Sequence, residues 1–114
     1  MSYAKKLIYS TDTVSHYRYD VNNVFAEGVE ISLPGSEQFF LAITCSHGML
    51  ACRLADVAVS DRLNLPIAIF SAARLDNMLE GKPVSLSQRA MEMGATIDMT
   101  GEELVLLFSS SKNA

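Results

Sequence analysis

A chain of 114 residues in which 49% are hydrophobic and 19% charged is long enough for one packed domain and too short for two of ordinary size. Nine basic against thirteen acidic residues, with the basic ones dispersed and no tryptophan, provide neither a phosphate-tracking patch nor a strong base-stacking platform, which argues against a nucleic-acid partner. The first nine residues lack the apolar run of a signal peptide and no later segment is apolar enough for a bilayer, so a cytoplasmic location without membrane contact is expected.

Residues 1–23 mix charge, serine, threonine and tyrosine, and only His16-Tyr17-Arg18-Tyr19 alternates, which predicts an arm or an edge strand. A single domain follows over residues 24–109. Val29, Ile31 and Leu33 alternate with Glu30 and Ser32, the two-residue period of a half-buried strand, and Pro34-Gly35-Ser36 breaks it. Phe39 to Cys45 is nearly continuous in apolar residues and suits a central strand covered on both faces. Ser46-His47-Gly48 then forms a turn, with Gly48 free to take the left-handed conformation of a short hairpin loop, and Met49 to Cys52 is the next strand.

After Cys52 the period becomes helical, with Leu54, Val57 and Ala58 on one side, until Asn64 and Pro66 end the helix. Ile67 to Phe70 is a short buried strand, so the strand-helix-strand unit predicts a parallel pair. Ser71 is placed to cap a short helix that turns Leu75, Met78 and Leu79 inward and stops at Gly81 and Pro83. Ser85 to Gln88 has capping-box spacing before a helix closed by Gly94. Thr100 to Glu103 repeats that spacing before a last helix with Leu104, Leu107 and Phe108 inward, and residues 110–114 form a frayed tail. The fold class is therefore α+β: an N-terminal antiparallel meander, a strand-helix-strand unit and C-terminal helices on a mixed sheet.

The runs GMLACRLADVAVSDRLNLP, Gly48 to Pro66, and ARLDNMLEGKPVSLSQRAMEMGATIDMTGEELVLLF, Ala73 to Phe108, resemble the YunC-like domains of unknown function. The resemblance begins near Val29 and covers about three quarters of the chain. It implies a small bacterial or archaeal α+β domain whose N-terminal β region is an assembly surface, in a tetramer, and it implies no known reaction. Where that family carries a glycine after the cysteine and a leucine before the aspartate, this chain has Arg53 and Ala55, and Ser71 stands where a further glycine is usual. Such glycines either admit a ligand close to the backbone or fit a tight turn.

Cys52, read at a strand end just before a helix and next to Arg53, has the setting of a nucleophile, although a packed free cysteine that acts as a small hydrophobe is the commoner case. His47 in the turn and Asp56 in the first helical turn are the candidate acid-base partners, with Arg53, Ser71 and Arg74 as candidates for holding a ligand. Cys45 and Cys52 are expected to be free thiols, diagonal across a hairpin at roughly 7–8 Å at best. Two distant histidines and two such cysteines predict no metal site, no phosphate loop predicts a nucleotide, and no cofactor is expected. Met78, Met91, Met93 and Met99 read as gap-fillers among the helices. Two functions of different class remain: a non-catalytic homo-oligomeric assembly or interaction protein, and a small enzyme or small-molecule-binding protein centred on a reactive Cys52 at a helix N-terminus.

Overall fold

A single seven-stranded sheet, with its strands in chain order, organises the residues that the computed structural model describes, 3–110. The strands are β1 (Tyr3–Ser10), β2 (Val14–Val21), β3 (Val24–Ser32), β4 (Phe39–Thr44), β5 (Met49–Cys52), β6 (Ile67–Phe70) and β7 (Ser85–Leu86). All neighbours are antiparallel except β5 and β6, which the crossover helix α1 (Val57–Arg62) joins in parallel. The helices α2 (Leu75–Glu80), α3 (Gln88–Glu92) and α4 (Gly101–Phe108) follow, which makes this an α+β domain on a mixed sheet.

The N-terminal segment read as an arm or edge strand contains two strands, of which β1 is the edge while β2 is paired on both sides. Asn22 and Asn23 connect β2 to β3 with φ of 54° and 69°, the left-handed pair that a two-residue hairpin turn requires. Asparagine tolerates that conformation, and Asp20 accepts a hydrogen bond from the Asn23 N–H at 2.9 Å to hold it.

Alternation in β3 is present with its faces inverted. Ala26, Gly28 and Glu30 point to the core, while Phe25 and Ile31 lie on the outer side, 62% and 36% exposed. Bulk comes from the neighbours instead: Tyr19 is fully buried opposite Ala26, and a Cβ on Gly28 would stand 2.9 Å from Leu75 and 3.0 Å from the Tyr19 ring. β3 therefore supplies small residues where large ones converge on it.

Leu41 and Ile43 of β4, Leu50 and Cys52 of β5, and Ala68 and Phe70 of β6 form the floor of the main core. Leu75, Met78 and Leu79 of α2 and Leu104, Val105 and Phe108 of α4 close it from above, with Ala90 of α3. On the opposite side Ala51, Ile67 and Ile69 pack with Met49, Ala55 and Val57 beside α1. Strand β4 is thus covered by helices on one face only, because α1 reaches no further than β5 and β6 and leaves Phe40 and Ala42 on the outer side of the sheet.

Gly48 does not take the left-handed conformation expected of it; its reason is space. A Cβ there would lie 2.5 Å from Cγ of Phe108, and the His47 N–H donates to the Phe108 carbonyl at 2.7 Å, so the β4-β5 turn sits against the end of α4. Gly101 has a similar role, since a Cβ would meet the Met78 carbonyl oxygen at 2.0 Å where α4 crosses α2.

Several helix starts also move. Helix α1 begins at Val57 with Asp56 as N-cap, its carboxylate accepting from the Ala58 N–H at 2.8 Å, so Asp56 precedes the first turn and the 62% exposed Leu54 lies outside the helix. Asn64 ends it at a φ of 57°, as its type allows. Ser71 does not cap α2; Arg74 holds that position, with its N–H donating to Asn77 Oδ1 at 3.0 Å. Ser85 belongs to β7, and Ser87 caps α3. The box at α4 forms as read, the Thr100 N–H donating to Glu103 Oε1 at 2.8 Å and the Glu103 N–H to Thr100 Oγ1 at 3.3 Å. Residues 111–114 of the expected tail lie outside the described residues.

Candidate functional site

The two parallel strands β5 and β6 end side by side at Cys52 and Phe70, and the chain leaves both into loops over the same end of the sheet. In sheets of this kind that carboxyl end is where loops converge to form a ligand crevice. A cavity of about 270 Å³ lies there, lined by Leu33, Gln38, Phe39, Cys52, Arg53, Leu54, Phe70, Ser71 and Ala72. Three of the residues singled out from the sequence, Cys52, Arg53 and Ser71, are thus brought to one place.

Cys52 is 6% exposed, and its Sγ accepts a hydrogen bond from the Leu41 N–H at 3.5 Å across the β4-β5 ladder. The thiol is not at a helix N-terminus, because residues 53–56 form a turn before α1 begins. Arg53 is exposed at the cavity and makes no ion pair with a described residue.

Arg74 stands behind the cavity wall. Its guanidinium lies 4.5 Å from the centre of the Phe39 ring, and it donates through Nε at 3.0 Å and Nη2 at 2.8 Å to the two oxygens of Glu30. Glu30, 5% exposed on the inner face of β3, also accepts from the Leu75 N–H at 3.1 Å, so one carboxylate caps α2 and fixes Arg74. Burial disfavours its charge more than any other single influence, yet the hydrogen bonds from Arg74 and Leu75 and the charge of Arg74 together hold the carboxyl below its ordinary value. Nothing in the alternation of β3 marks Glu30 as an inward residue, so this anchor was not legible beforehand.

His47 lies at the other end of β5, five residues and on the order of 15 Å of extended chain from Cys52. The structure does not bring those two side chains together. His47 instead shares a depression with Cys45, Gly48 and Pro66. Cys45 opposes Gly48 while Cys52 opposes Leu41, so the two cysteines lie at opposite ends of the hairpin, about 13 Å apart along the strands and well beyond the diagonal spacing expected. Both are free, and burial pushes the Cys45 thiol up to about 11. Asp56 is occupied as the α1 cap.

Two further polar clusters lie outside the cavity. Beside α2, the Tyr19 hydroxyl donates to Asp76 at 2.9 Å, the Tyr3 hydroxyl to Glu80 at 2.6 Å, and Lys5 pairs with Asp76 at 3.0 Å. Burial, then the carboxylate partners, raise both phenols far above their ordinary value. On the outer face, Glu27 accepts from Arg18 Nε at 2.8 Å and pairs with His16, and the Arg18 hydrogen bond leads in lowering its carboxyl. Among the described residues no group of three or more His, Cys, Asp or Glu side chains is placed to hold a metal ion, and no helix is long and apolar enough to cross a membrane.

Fold and cavity together define a small α+β domain with a mixed sheet and a crevice at the carboxyl end of its parallel pair. No family model matches the sequence, and no curated protein matches it either. A solved structure does share the fold: the crystal structure of TA1206, a protein of unknown function from Thermoplasma acidophilum, superimposes with a TM-score of 0.74 over 96% of this chain and 97% of that one at 15% identity. At that identity the likeness concerns the fold alone.

Proposed function

We propose that this protein is an assembly module whose uncovered sheet face packs against the same face of a second copy. One observation carries the reading. On the outer side of the sheet Val14, Ile31 and Phe40 align across β2, β3 and β4, the next row holds His16, Val29 and Ala42, and Phe25 lies further along, while α1 covers only β5 and β6. A sheet face that meets water alternates polar residues outward, and here apolar side chains hold more than half of those positions.

A second copy is the occupant that the chemistry of the face favours. Its central charged groups, Arg18 and Glu27, pair with each other, and His16 pairs with the same Glu27 carboxylate, so no unpaired acid or base stands at the centre of an identical face. Four strands about 4.8 Å apart and six to nine residues long project roughly 500 Å², the same order as the roughly 800 Å² that each partner gives a standard interface. Helix α1 stands one layer, about 10 Å, above the sheet, which is also the spacing of stacked sheets. Two copies related by a two-fold axis therefore fit sheet on sheet, with each α1 beside the other's strands.

Pairing through the β1 edge is less favoured, because Lys5, Lys6 and the irregularity between Leu7 and Tyr9 are the devices that discourage edge pairing. A tetramer, as the family resemblance implies, needs a second interface in addition to this face. Light scattering after size exclusion tests the reading on the full chain. At tens of micromolar the wild type is expected to be a dimer or larger, and Ile31→Asp or Phe25→Glu, both on the exposed face, to be monomeric with an unchanged circular dichroism spectrum. A monomeric wild type, or variants that keep the wild-type mass, would overturn the proposal.

A further inference from the structure

The cavity at the carboxyl ends of β5 and β6 is separate from the proposed assembly face, and the composition of its wall specifies a ligand class. Its body is apolar: Leu33, Phe39, Leu54, Phe70 and Ala72 contribute carbon, with Phe70 itself only 1% exposed. Its polar lining residues are few, namely Arg53, Ser71 and Gln38, and no carboxylate lines it. Of the two arginines near it, Arg74 is neutralised by the bidentate Glu30 pair and serves to hold the Phe39 ring, while Arg53 makes no ion pair with a described residue. The net charge presented to an occupant is therefore positive.

We infer that this cavity binds a small organic anion, a monocarboxylate with an apolar body about the size of one ring, its carboxylate on Arg53 and Ser71 and its body against Phe39 and Leu54. A volume of about 270 Å³ lies just under the usual range for ligand pockets and limits the occupant to a small molecule. Arginine suits the carboxylate because its planar fork matches the two oxygens, and the flanking carbon side chains offer apolar contact to the rest of the ligand. The ion pair behind Phe39 contributes by preorganisation: Arg74, held by the buried Glu30 and the start of α2, fixes the ring before any ligand arrives. Cys52 supplies part of the wall and no covalent step is involved.

The test is a titration of the isotope-labelled full chain with sodium 3-phenylpropanoate, followed by amide chemical shifts, beside its neutral counterpart 3-phenylpropan-1-ol. The acid is expected to give saturable shifts at residues 52–54 and 70–72, with a dissociation constant in the millimolar range that a molecule of this size reaches. The alcohol and the Arg53→Gln variant are each expected to bind roughly tenfold more weakly, the loss of one charge-assisted contact. Ser71→Tyr, at an exposed lining position, fills the mouth and is expected to abolish the shifts. Equal binding of acid and alcohol, unimpaired binding in either variant, shifts elsewhere, or no saturation at millimolar concentration would each overturn the inference. None of these readings depends on the oligomeric state, so the assembly proposal stands or falls separately.

Discussion

Replacing Glu30 by Gln removes a charge without changing the shape of a buried, fully bonded side chain. Three donors converge on that carboxylate: Arg74 Nε at 3.0 Å, Arg74 Nη2 at 2.8 Å and the Leu75 N–H at 3.1 Å. A hydrogen bond to a charged group contributes about 1.5–3 kcal/mol, and breaking a fully buried ion pair costs about 3–5 kcal/mol. The upper figure does not apply here, because the Arg74 side chain is 53% exposed and rehydrates when its partner is lost, while the Gln oxygen still accepts one bond. The expected loss is about 2–3 kcal/mol at neutral pH, or a fall in Tm on the order of 10 °C for a domain of this size.

The pH dependence follows from the sign of the shift. The folded carboxyl is held below its ordinary value, so the stability from its ionisation is fully present above the unfolded pKa of about 4.3 and is lost as pH falls through the folded value. Urea melts of wild type and Glu30→Gln at one protein concentration should therefore differ by the full amount near pH 7 and converge in acid, where the wild type is protonated too. A difference below about 0.5 kcal/mol at pH 7, the scale of an ordinary surface substitution, or one that stays constant into acid, would refute the reasoning.

Two other outcomes follow from the packing. Gly48→Ala should destabilise by about 1–3 kcal/mol through the clash with Phe108 rather than through backbone strain, and the same change should cost less in a Phe108→Ala background, which lacks Cγ and Cδ1, in thermal melts; equal costs in the two backgrounds would show that the ring is not the cause. Alkylation of the native protein near pH 8 should leave Cys45 unmodified, since burial raises its thiol to about 11, and denaturation should yield two adducts by intact mass; rapid native labelling at Cys45, or no adduct after denaturation, would contradict the geometry.

Local signals in the chain were sufficient where structure is local. The reciprocal Thr100 and Glu103 bonds, the Asn64 stop and the parallel pairing of β5 with β6 all rest on contacts within a few residues or on the short crossover, and spacing alone states them. Cys52, Arg53 and Ser71 could likewise be nominated together, because the ends of consecutive parallel strands are neighbours by topology.

What only the tertiary structure decided depends on which side of the sheet the helices choose. Helices α2 and α4 cover the side bearing Tyr19, Gly28 and Glu30, which inverts the faces read for β3 and turns Val29 and Ile31 outward. Gly48 and Gly101 are required by Phe108 and Met78, residues tens of positions away, so their reason is invisible to any local rule. The same holds for Glu30, whose partner Arg74 lies 44 positions on: a period-two pattern marks which residues share a face, and only long-range packing determines which face is buried.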